Sequence, residues 1–145
     1  MIIIMTVCTL LVIGFIINGL ATFIGSTFLC SFLDQNLILL LVALFAINTT
    51  TASVILTKMR EIADKHPEVD FKTTRNQMKA SSLEQVILII IAILTGILKT
   101  SPWLLEHVPH LHFFLNSILV GVFAYAIHIL YDTAKGVYVI LDHGH

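Results

Sequence analysis

The side chains that could do chemistry in this chain are gathered in a few places. The stretch AINTTTASV, residues 46–54, puts Asn48, Thr49, Thr50, Thr51 and Ser53 inside an otherwise apolar segment. On a helix, Thr49, Thr50, Ser53, Thr57, Arg60 and Asp64 fall within an arc of about 100°, while Asn48 and Thr51 point towards another neighbour. Such a stripe can line a water-filled path; equally, each hydroxyl can bond to the carbonyl four residues back and let helices pack closely. His128 and Asp132 stand at i,i+4, an imidazole oriented by a carboxylate that suits proton relay, anion binding or an interhelical polar contact. Asn18 belongs to a small-residue stripe with Gly14, Ala21 and Gly25, a close-packing face across which an amide can bond. Glu106, His107, His110 and His112 cluster in a second polar segment, but Pro109 interrupts it and no metal-ligand spacing is matched. Cys8 and Cys30, read within one helical span, are too far apart to pair and count as small apolar groups. There is no Gly-rich phosphate loop, H-E-x-x-H, nucleophile elbow or CxxC. No catalytic group, metal or cofactor is therefore expected.

The elements that must position these residues are apolar. Of 145 residues, 57% are hydrophobic and 12% charged, and the mean hydropathy is +0.96. A soluble domain of this length needs a more charged surface, so an all-α polytopic membrane protein is expected. The net charge of −1, without a basic patch, excludes a nucleic-acid partner.

Four stretches are long enough to cross a bilayer: residues 1–33, 36–57, 83–99 and 111–131, joined between the second and third by the charged connection 58–82. They form a single membrane domain, residues 1–145. The first is too long for one straight crossing, which predicts a tilt or a break between Gly19 and Gly25. The start MIIIMTVCTLLVIG has no basic segment, so it reads as a retained helix rather than a cleaved signal. Lys58, Arg60, Lys65, Lys72, Arg75 and Lys79 all lie in the 58–82 connection. That asymmetry puts the connection and both termini on the cytoplasmic side.

The second helix is expected to continue past the membrane through ILTKMREIADKH, with Arg60 pairing with Asp64 and Pro67 ending the run. Ser81 and Ser82 ahead of Glu84 and Gln85 predict a capping box at the start of the third helix. Ser101–Pro102 predicts a short helix with Trp103 at the membrane interface, and Gly136 a C-cap after the fourth.

The segments QNLILLLVALF, MKASSLEQVILIIIAI and FLNSILVGVFAYAIHILYD, in this order, resemble the YqhA-like family of small bacterial inner-membrane proteins. That resemblance implies four helices and a bacterial inner-membrane location, and it carries over no functional residue. The third-helix opening is also similar to the membrane-associated eicosanoid and glutathione metabolism superfamily. Glu84 and Leu83 match its Arg–x–x–Asn–x–x–Glu pattern, whereas Ser81 stands for the Asn and Met78 for the Arg. It implies a glutathione-dependent enzyme.

From the residues, the first expectation is a homo-oligomeric channel or pore lined by Thr49, Thr50, Ser53 and Thr57, with Arg60 and Asp64 at its inner mouth. A non-conducting accessory or immunity-type protein bound to a membrane-protein partner is the alternative.

Overall fold

Gly25 decides where the first apolar stretch ends. In the computed structural model, which describes residues 2–66 and 70–142, its backbone takes φ +70°, the left-handed region that glycine enters without a Cβ clash. The amide of Gly25 bonds the carbonyl of Thr22, and that of Ser26 the carbonyl of Ala21. This pairing closes helix α1, Ile2–Phe23, and reverses the chain. Helix α2 then runs from Phe28 to Lys65. The stretch 1–33 is therefore not one helix: residues 28–33 open α2, and Cys30 sits on a different helix from Cys8. Both cysteines are free thiols.

The inward face of α2 is Leu33, Leu37, Leu41, Asn48, Ala52, Ile55 and Met59, all buried at spacings of three, four or their sum. That 3.6-residue period continues past the apolar segment, so the helix carries on through the charged residues to Lys65. Pro67 lies outside the described residues. Arg60 and Asp64 form no ion pair; Lys58 and Glu61 do, at 2.6 Å on an exposed surface.

Helix α3, Lys72–Lys99, starts well ahead of Leu83. Thr74, Met78, Ser81 and Gln85 repeat on its inward side, which keeps the charged segment helical. The Asp70 carboxylate accepts the Lys72 amide at 2.8 Å near the helix start. Ser81 and Ser82 thus lie inside a helix whose amides are already bonded, and the expected capping box does not form. Helix α4, Pro102–His107, has proline in its first turn and an exposed Trp103. His110, at φ 63°, turns the chain into α5, Leu111–Asp142. Gly136 does not cap α5, which runs on to Asp142 with Ala134 and Val137 half-buried.

The long helices alternate in direction, and α5 packs against α1, α2 and α3. The start of α1 and the end of α5 consequently lie at the same end of the bundle as the α2–α3 connection. Between α2, α3 and α5 the interior is filled by leucines 33, 37, 41, 88 and 119 with Ala92, Val120, Val122, Ala126 and Ile129. Against α5, α1 makes a different contact. A Cβ on Gly14 would sit 2.6 Å from the Ser117 carbonyl oxygen and 2.7 Å from the Gly121 nitrogen, so the two backbones touch.

Three helices are long and apolar enough to cross a membrane, α2, α3 and the Leu111–Tyr138 part of α5. Their outward faces present large apolar side chains, among them Leu39, Val54, Ile90 and Ile97. An all-helical chain of this make-up is a multi-pass membrane protein.

Candidate functional site

The polar stripe of α2 lies on the outside of the bundle. Thr49, Thr50, Ser53, Thr57, Arg60 and Asp64 are all exposed, because the inward period takes Asn48, Ala52, Ile55 and Met59 instead. Each hydroxyl donates to its own helix: Thr49 to the Phe45 carbonyl, Thr50 to Ala46, Ser53 to Thr49 and Thr57 to Ser53, at 2.8–3.1 Å. The donors are spent on the backbone, and the oxygens keep accepting capacity outward. Asn48 points away from this stripe and is 1% exposed.

Part of the stripe opens into a groove of about 650 Å³ between the outer faces of α2 and α3. Thr49, Ser53 and Thr57 line it from α2, ending at Arg60, while α3 contributes Arg75, Lys79 and Ser82. No carboxylate lines this groove, and Arg60, Arg75 and Lys79 have no ion-pair partner among the described residues. The result is a hydroxyl-lined groove ending in three cations.

Beyond Ala52 and Met78, which line both, a second cavity of about 470 Å³ lies between α2, α3 and α5. Asn48 Nδ2 donates to Gln85 Oε1 at 2.9 Å, joining α2 to α3 beside this cavity. The Tyr125 hydroxyl donates to Glu84 Oε2 at 2.8 Å, joining α5 to α3. His128 Nε2 stands 3.4 Å from Asp132 Oδ2, and its ring stacks with Tyr125 at a centroid distance of 6.4 Å. His128 and Asp132 thus share this cavity with Asn48 and Glu84.

Asn18, on α1, lines neither the groove nor the cavity. It is 1% exposed, and its Nδ2 donates to Ser117 Oγ at 2.9 Å and to the Phe113 carbonyl at 3.0 Å. Cys30 Sγ donates to its Oδ1 at 3.4 Å. These bonds tie α1, α2 and α5 together next to the Gly14 crossing, a structural junction. His107, His110 and His112 are exposed; His107 stacks on Trp103 and bonds its carbonyl. Among the described residues no three His, Cys, Asp or Glu side chains gather as a metal site. His143 and His145 lie outside the described residues.

Three pairings, Asn48 with Gln85, Tyr125 with Glu84 and Lys99 with Asp34, and one alignment escape sequence reasoning. Glu84 and Gln85 have capping-box spacing, although acid and amide in an apolar helix are themselves a signal of interhelical partners. The alignment of Arg75 and Lys79 beside the α2 stripe follows from α3 starting early. Asp34 pairs with Lys99 across α2 and α3 at the far end.

Compared with protein-family models, curated proteins and solved structures, the chain matches none.

Proposed function

We propose that this chain crosses the bacterial inner membrane four times, with the α2–α3 connection and both termini cytoplasmic, and assembles into a homo-oligomeric channel. The path runs along the outer face of α2, past Thr49, Thr50, Ser53 and Thr57 to Arg60 and Asp64. The observation that supports it is the position of that stripe. A row of hydroxyls at membrane depth lies on the outside of a bundle whose interior is filled by leucine and valine. With the donors spent on the backbone, the hydroxyl oxygens keep accepting capacity that water or another subunit can use and lipid cannot. Lys58–Lys79 carry the positive charge expected of a cytoplasmic connection, and the pairing of Lys99 with Asp34 neutralises the lone cation at the opposite end.

Arg60, Arg75 and Lys79 line the groove with no carboxylate among them, and they outnumber Asp64 at the inner mouth, which makes anions the preferred permeant. The test is flux from liposomes containing the purified protein. Chloride efflux is expected, falling at least about ten-fold in Thr50→Leu or Ser53→Leu, since each replaces a polar wall element with an apolar side chain. Flux unchanged by both substitutions, or a monomer by light scattering in lipid nanodiscs, overturns this reading. The glutathione-enzyme alternative is less well supported: no Lys or Arg lines the cavity that holds Glu84, so an anionic thiol peptide finds no counter-charge there.

A further inference from the structure

The cavity between α2, α3 and α5 has chemistry opposite to that of the outer groove. Two carboxylates line it, Glu84 from α3 and Asp132 from α5, with the imidazole of His128 and no Lys or Arg. Asn48, 1% exposed, also lines it; its Nδ2 meets Gln85 Oε1, which leaves its own Oδ1 and the Gln85 Nε2 both buried without a partner. A buried amide oxygen without a donor is costly and marks a place where a donor is wanted. Glu84 is only partly satisfied, receiving the Tyr125 hydroxyl on Oε2. The remaining lining is mixed: Ala52, Ile55, Met78 and Ile129 are apolar, while Thr74, Gln77, Ser81 and Thr133 are polar and uncharged.

We propose that this cavity is a binding site for a small organic cation, a primary ammonium carrying a short alkyl chain. The carboxylates only accept, and the uncharged Thr74, Gln77 and Ser81 bring no positive charge, so a ligand carrying N–H groups and a positive charge complements the walls. The carboxylates without a basic neighbour set its charge. A bare metal ion is disfavoured, since no three ligating side chains converge among the described residues. The apolar part of the lining accommodates the alkyl chain, and a volume of about 470 Å³ suits a small molecule. The faces of Tyr125 and His128 add a ring wall beside the cation. None of the stripe residues lines this cavity, which shares only Ala52 and Met78 with the outer groove, so the site stands whether or not that stripe conducts.

The experiment is isothermal titration of the full-length protein in nanodiscs of zwitterionic lipid at pH 8, with n-butylammonium as the probe. Saturable binding is expected for n-butylammonium and none for butan-1-ol, its uncharged counterpart, at the same concentrations. Tetramethylammonium, which has the charge without N–H donors, is expected to bind at least about ten-fold more weakly. Glu84→Gln and Asp132→Asn should each weaken n-butylammonium about ten-fold or more. Asp132 is exposed at the rim, so its variant folds even if Glu84→Gln does not. Gly19→Ala, which meets nothing within 4 Å, serves as the unchanged control. The proposal is overturned by an absence of saturable n-butylammonium binding, by equal binding of butan-1-ol or tetramethylammonium, or by wild-type affinity in folded Asp132→Asn.

Discussion

Asn18 and Asn48 are both amides in apolar helices, and their surroundings give them different roles. Asn18 spends two donors on α5 and accepts from Cys30, so its bonding closes within the bundle. Asn48 makes one bond, to Gln85, and keeps an unpartnered oxygen at a cavity. The first is a fastening and the second a candidate contact for a ligand. Asn18→Ala should therefore destabilise the fold by about 1–2 kcal/mol, at the upper end for an interhelical side-chain bond in lipid. Ser117→Ala should cost less, since Asn18 keeps the Phe113 carbonyl as acceptor. Unfolding by SDS titration from mild-detergent micelles would check that order, and the double variant should lose less than the two single losses combined. The threonines of 49–57 teach a related lesson. Their types are visible in sequence, but whether a hydroxyl donates inward or to its own helix is a matter of which face the packing takes.

At the scale of the helices, the crossing of α1 over α5 is set by two glycines. Gly14 faces backbone atoms of Ser117 and Gly121 at under 3 Å from where a Cβ would stand, and backbone cannot step aside as a side chain can. Gly121 faces chiefly the end of Leu11, at 3.2 Å. Gly14→Ala is expected to destabilise by about 1–3 kcal/mol, the usual range for overpacking. Gly121→Ala should cost less, and Gly19→Ala close to nothing, by the same SDS titration. Equal effects at positions 14 and 19 would show that the close crossing carries no stability. The start of α3 belongs to this scale too. Ser81–x–x–Glu84 has the spacing of a capping box, yet a cap forms only where amides are unpaired, and the inward stripe of Thr74, Met78, Ser81 and Gln85 had already continued the helix.

For the whole molecule, charge and shape divide the chain into two ends. One holds the α2–α3 connection, the basic groove and the acidic cavity; the other holds the Gly25 turn, the Asp34–Lys99 pair and α4. The proposed topology places the first end in the cytoplasm. In a variant with Cys8 and Cys30 changed to serine, a cysteine at position 65 should react with membrane-impermeant maleimide only after the inner face is opened. A cysteine at position 103 should react in intact spheroplasts, and the reverse pattern would invert the topology. The two pockets, of opposite sign on either side of Ala52 and Met78, could be recognised only once α2, α3 and α5 were assembled.

Much was legible in the chain itself. Apolar runs with 3.6-residue period specify helices and a membrane environment, because backbone bonding in lipid leaves helices as one of few solutions. Gly25 within the expected break, Pro102 at the start of α4 and the small-residue face of α1 are local signals of the same kind, readable because φ preference and side-chain volume belong to single residues. The tertiary structure alone decided which faces meet. In lipid one apolar face resembles another, so pairing depends on close fit and on the few polar side chains that find partners. Those partners, Asn48 with Gln85, Glu84 with Tyr125 and Asn18 with Ser117, are 37 to 99 residues apart, and helical periodicity carries no information at that distance.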